Sequence, residues 1–199
     1  MCRHLSTTED GPTLIAALTL GSFAFLRASN LLCPTTTLWA GPHTLSRKDI
    51  TMTTDGLLVL ITSSKTIGPG SEPVVLHLPR IPGSPACPTQ AWVSYTTKVP
   101  GSPLSPAFTL SNGSPLIPAQ LTATVRYSLG TLGCPYAATF SSHSLRRGGA
   151  QAAVRAGGNE ADVAAHGTWK SMGGMSAYVP SHSSKRVAAS LASLFGPNF

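Results

Sequence analysis

The chain has 199 residues, enough for one full domain with its own core but too few for two large ones. With 42% hydrophobic and only 11% charged residues it lies outside the highly charged disordered class, and its 17 prolines and 19 glycines require many loops. The formal charge of +7 and pI near 9.6 suit a polyanionic partner, because neutralising phosphates releases condensed counterions, although a merely basic surface carries the same total.

Residues 1–11 read as an N-terminal tail. Pro12 to Leu26 is apolar on most faces, with Pro12 able to occupy a first helical turn, and predicts a core helix ending in Arg27. The surrounding Leu14–Leu32 stretch is broken by Thr19, Ser22, Arg27 and Asn30 and lacks a basic leader with a small-residue cleavage site. It therefore predicts a buried helix rather than a signal or a membrane span. From about residue 45 to 80, Thr, Val and Ile runs alternate with Gly and Pro turns. Leu57–Thr62 and Val74–Leu78 read as strands of a small antiparallel sheet, separated by a connection through Ser63–Ser71 long enough for a flexible hairpin tip, with Lys65 near that tip.

The stretches 79–88 and 100–118 are Pro/Gly/Ser-rich connectors, the second relieved only by Phe108-Thr109-Leu110, and Thr89–Thr97 between them reads as a helix carrying Trp92 and Tyr95. Helical periodicity returns at Pro118: Leu121, Val125 and Leu129 share one face, with Gly130 as a candidate terminator. Further helices are expected at Ser144–Ala156, Glu160–Ala165, about Ser171–Val179 and Ser184–Phe195. The fold class expected is mainly α with a small antiparallel sheet.

Charge is uneven along this layout. Residues 1–120 hold seven Lys/Arg and five Asp/Glu, whereas 121–199 hold seven Lys/Arg against only Glu160 and Asp162. The cysteines at 2, 33, 87 and 134 form no CxxC pair and have no histidine at zinc-ligand spacing, so neither a metal site nor a disulfide framework is expected, and reduced thiols in an intracellular compartment are the default. No G-x-S-x-G elbow is present and acids are few, which argues against a serine hydrolase.

The chemistry concentrates in His143-Ser144-Leu145-Arg146-Arg147-Gly148-Gly149. On a helix, residues three apart project to one side, so His143 and Arg146 set a proton donor/acceptor beside a forked cation, a pair able to grip one phosphate. A helix-surface His next to an Arg is also an ordinary solvated face. Two glycines inside a helix cost about 1 kcal/mol each relative to alanine, which implies a close approach to that backbone, a DNA strand being one candidate.

The string HSLRRGGAQAAVRAGG (143–158), followed by HGTWKSMGGMSAYV (166–179), resembles two boxes of the tyrosine recombinases, the phage-integrase family, and most those of eukaryotic tyrosine-recombinase transposons and retrotransposons. Phe23–Leu31 resembles the box that supplies that family's first arginine, and Ser64-Lys65-Thr66 its hairpin lysine. The order Arg, Lys, His-x-x-Arg, His or Trp, Tyr is the family's, and it spans about Pro12 to Phe195. The resemblance implies the recombinase catalytic-domain fold and site-specific DNA cleavage and religation through a 3′-phosphotyrosine. Arg27 and Arg146 would hold the scissile phosphate, Lys65 would protonate the leaving 5′ oxygen, His143 would assist proton transfer and Tyr178 would attack phosphorus. The His/Trp position is open between His166 and Trp169. Trp169 is favoured, because Gly167-Thr168-Trp169 resembles a Gly-Gly-Trp of the family in its spacing from His143 and Tyr178, and its indole N–H suits a phosphate oxygen.

Each role has a physical reason. Arginines are permanently charged bidentate donors for the nonbridging oxygens of phosphoryl transfer, and a tyrosyl phosphodiester conserves the bond energy for religation, so no cofactor and no metal are expected. Each residue also has an ordinary alternative: a helix-end cap for Arg27, solvent decoration for Lys65, packing for Trp169 and Tyr178. The family commonly carries an acid three positions after the first arginine, where this chain has Asn30, and a helical DNA-clamping domain ahead of the catalytic one, which is absent here. The expectation is a single catalytic domain over 1–199, intracellular and DNA-associated, nuclear if eukaryotic, without membrane contact. Its partner is double-stranded DNA, on which it forms a homo-oligomer, a tetramer, from a free monomer whose tail, 180–199, docks on itself or on a neighbour. A noncatalytic DNA-binding remnant is the rival reading.

Overall fold

A computed structural model describes residues 1–37, 44–64, 67–68, 70–169 and 182–196, the last segment with side chains from Ser184 on. The apolar stretch near the N-terminus forms helix α2 (Gly11–Phe23), with Pro12 in its first turn. Leu14, Ala16, Ala17, Leu18, Leu20 and Phe23 are all buried, so this helix has no solvent face of any width and lies at the centre of the domain. The expected tail is itself folded. Helix α1 (Cys2–Leu5) buries Leu5 against α2.

Helix α2 stops three residues before the expected end. Ala24 is its C-cap, Phe25 turns left-handed at φ 48°, and the Leu26 amide reaches back to the Gly21 carbonyl. Arg27 therefore precedes a new turn, α3 (Ala28–Leu31), as its N-cap rather than closing α2.

The sheet is an antiparallel meander of β1 (Ile50–Met52), β2 (Gly56–Ile61) and β3 (Val74–Pro79). Its register pairs Ile50 with Val59, Leu57 with Leu78 and Val59 with Leu76. Leu57, Val59, Ile61, Leu76 and Leu78 face the core, while Met52, Leu60 and Val75 face out, the alternation a one-sided sheet requires. Helix α4 (Pro88–Lys98) lies against α2 and the sheet, its Trp92 and Tyr95 forming an aromatic cluster with Phe108. That cluster encloses Arg47, whose guanidinium donates to the Tyr95 hydroxyl at 2.6 Å and Thr109 Oγ1 at 3.1 Å and lies 4.8 Å from the Tyr95 ring centroid.

Helix α5 (Pro118–Thr131) buries Leu121 and Val125 as its periodicity implies. It runs through Gly130, and the left-handed residue beyond its end is Gly133 at φ 76°. Helix α6 (Ser142–Arg155) crosses α2 where Gly149 meets it, since a Cβ there would lie 2.0 Å from the Ser22 carbonyl oxygen. The close approach read from the glycine pair is thus internal: Gly149 admits α2, and Gly148 faces open space. Helix α7 (Glu160–His166) is capped by the Asn159 side chain, and the expected helix at 171–179 lies outside the described residues.

The tail helix α8 (His182–Leu194) docks on its own domain. Val187 and Leu191 are buried against the core, and Ser184 Oγ accepts a 2.7 Å hydrogen bond from the His77 amide on the free edge of β3. An edge strand is thereby covered, and the two apolar side chains contribute about 1.5–3 kcal/mol each. The architecture is α+β, mainly helical with a three-stranded antiparallel sheet. Among the described residues no helix is long and apolar enough to cross a membrane.

Candidate functional site

The left-handed turn at Phe25 aims its carbonyl at α6, where Arg146 enters the interior. One terminal nitrogen of Arg146 donates to the Phe25 carbonyl oxygen and the other to the Gly167 carbonyl oxygen at 2.5 Å, and the side chain is 3% exposed. Trp169 closes over it, with the guanidinium carbon 3.9 Å from the ring centroid. Such stacking on an indole suits a planar, weakly hydrated cation. The Gly167-Thr168 turn makes this possible. Thr168 is left-handed at φ 55°, Trp169 N reaches Ala164 O, and a Cβ on Gly167 would fall 1.9 Å from the Trp169 ring.

Arg27, half-buried at the start of α3, is close enough for its charge to act on Arg146. Burial, and after it the positive charge of Arg27, lower the Arg146 pKa to about 10, so it remains a cation at neutral pH. Among the described residues no carboxylate is paired with either arginine by an ion pair. From Pro73 to Asn159 the sequence contains no Asp or Glu, and Asp162 is held bidentate by Arg186 at 2.6 and 2.7 Å. Arg146, held by two carbonyl dipoles beneath an indole and within the field of Arg27, concentrates positive charge here.

His143 and Arg146 part company at the helix surface: Arg146 points into the core, while His143, in the first turn of α6, is exposed. Trp169 and Arg146 are in contact, and Arg27 joins them through its field. Lys65 and Tyr178 lie outside the described residues. The chain flanking Lys65 is nonetheless tied to the arginines' neighbourhood, because Asn30, three residues after Arg27, donates from Nδ2 to the Ser63 carbonyl oxygen at 3.0 Å. Where an acid would add charge, this amide adds a tether between α3 and the end of β2.

His166, the other candidate for the His/Trp position, is fully buried with both ring nitrogens occupied. Nε2 is 2.8 Å from the Phe23 carbonyl oxygen, and Nδ1 is 3.0 Å from Ser184 Oγ. With the proton on Nε2, the ring donates to Phe23 and accepts from the Ser184 hydroxyl, whose oxygen accepts from the His77 amide. Burial lowers its pKa to about 4, with the charges of His77 and Arg146 adding to the effect and the Phe23 hydrogen bond opposing it. His166 is a neutral bolt joining α2, α7, α8 and β3, and of the two candidates Trp169 is the one that stacks on Arg146.

The sequence reading missed Phe25 and Ser184. A left-handed aromatic residue has no composition cue, and the Arg146 that meets its carbonyl lies far along the chain. Among the described residues no three His, Cys, Asp or Glu side chains come together as a metal-binding group. No protein-family model matches the chain, and no curated protein or solved structure does either.

Proposed function

We propose that the protein is a DNA strand transferase of the tyrosine-recombinase type, cutting and rejoining duplex DNA at specific sites through a 3′-phosphotyrosine. The observation that carries the reading is the Arg27–Arg146 pair, two cations brought together from distant parts of the chain without a carboxylate between them. A phosphodiester in the transition state presents two nonbridging oxygens with growing negative charge, and guanidiniums are the matching donors. Trp169 orients Arg146 and excludes water from one side of it. His143, exposed on the first turn of the same helix, would serve proton transfer from the solvent side, as the motif order implies. In this proposal Lys65 is the acid for the leaving oxygen and Tyr178 the nucleophile, as the resemblance in motif order implies. The recombinase catalytic fold belongs to the same proposal.

Arg27 gives the cleaner test, because Arg146→Ala also strips hydrogen bonds from two buried carbonyls. Arg27→Ala should slow strand cleavage about a hundredfold or more while leaving the melting temperature within a few degrees. A change within a few-fold contradicts the assignment.

A second reading, a DNA-binding protein without strand cleavage, draws on the enclosure of Arg146. Both its terminal nitrogens are engaged by backbone carbonyls beneath an indole. Duplex binding without any covalent adduct would favour it.

A further inference from the structure

We propose that the corner where α5 turns into α6 is a second DNA-contacting surface, built around Tyr127 and Tyr136 and distinct from the arginine pair. This inference rests on the DNA reading above. Each of these tyrosines is 74% exposed, more than any other large hydrophobic side chain among the described residues. Neither phenol has a hydrogen-bond partner there, although the eight residues of chain between them fold tightly. Gly133 N bonds Gly130 O and Cys134 N bonds Leu129 O, both at 2.9 Å, turning the chain back on α5, and Arg126 Nε fastens Phe140 O to the helix at 2.8 Å. The two rings therefore stand on a well-braced surface rather than on a loose loop, and that surface leads directly into the turn bearing His143.

The chemistry of the corner selects the occupant. Arg126, next to Tyr127 in α5, and Arg147, in the α6 that follows Tyr136, are both exposed, and the span from Pro73 to Asn159 lacks a carboxylate. A segment free of acids that carries exposed cations and phenol donors is complementary to a phosphodiester backbone, to which arginine and tyrosine side chains both donate. Continuity with His143 makes it the track along which the same duplex extends from the reacting phosphate. The hydroxyls reach phosphate oxygens while the rings cover sugar.

The test is fluorescence anisotropy of a labelled duplex with the full chain, Tyr127→Phe/Tyr136→Phe and Tyr127→Ala/Tyr136→Ala. Side chains this exposed should be removable without shifting the melting temperature. Two hydrogen bonds to charged acceptors imply that the Phe pair binds duplex at least about ten-fold more weakly, with the Ala pair no tighter. Equal duplex affinity in all three overturns the corner and leaves the arginine reading standing, as does a loss seen only with single strands or only in self-association by sedimentation. A full chain that binds no duplex overturns both.

Discussion

Lowering the pH should loosen this fold through His166 specifically. In the folded chain the imidazole stays neutral to about pH 4, while in the unfolded chain it takes up a proton near 6.5. Between those values the unfolded state binds more protons, so stability falls as pH falls from 6.5 towards about 4 and loses nothing further from this group below that. A shift from 6.5 to about 4 corresponds to about 3 kcal/mol, undiminished by solvent screening because the ring is fully buried. For a domain whose net stability is of order 5–15 kcal/mol this is a substantial share. The physical event is loss of the Nδ1 acceptor: a doubly protonated ring can no longer receive the Ser184 hydroxyl, and a charge appears beside Arg146. Urea unfolding of the wild type and His166→Gln at steps from pH 7.5 to 4 isolates the effect, since carboxylates and His77 titrate in both. The wild type should lose about 3 kcal/mol more than the variant across that range. Parallel curves, or an NMR titration placing His166 near 6.5, would refute the argument.

The glycine pair gives opposite outcomes at neighbouring positions. Gly148→Ala meets nothing and should raise stability by up to about 1 kcal/mol, whereas Gly149→Ala drives a Cβ into the Ser22 carbonyl and should cost about 1–3 kcal/mol, both read by thermal melting. Leu191→Ala should destabilise the free chain by about 2–5 kcal/mol, because α8 docks on its own domain; an unchanged melting temperature would mean that the helix is not seated there in solution. Gly167→Ala should displace Trp169 from Arg146 and red-shift its fluorescence, and an emission spectrum identical to wild type would contradict the contact.

Elements with a clear period were legible in the sequence. Leu121 and Val125 mark the buried face of α5, and the apolar run Leu57–Ile61 between turn residues marks β2, although which of its side chains face inward shows only in the fold. The end of α2 was not legible: Phe25 is left-handed where its carbonyl meets Arg146, far along the chain, and no local residue announces it. Spacing placed His143 and Arg146 near each other but could not say which of the two sides faced the core. The Gly148-Gly149 pair was recognised as a close approach while the partner, α2, was invisible from the motif. Similarly, the sequence favoured Trp169 over His166 by its spacing, but nothing local announced that Ser184 and Phe23 would engage both nitrogens of the histidine.

The central claim is chemical and turns on Tyr178. The full chain is incubated with a nicked suicide duplex, in which the released strand diffuses away and traps any protein–DNA linkage, and the products are separated on a denaturing gel. The account predicts a covalent adduct with wild type that disappears in Tyr178→Phe while duplex binding persists, since only the hydroxyl is removed. An adduct undiminished in Tyr178→Phe, or duplex binding by the wild type with no adduct at all, would contradict it.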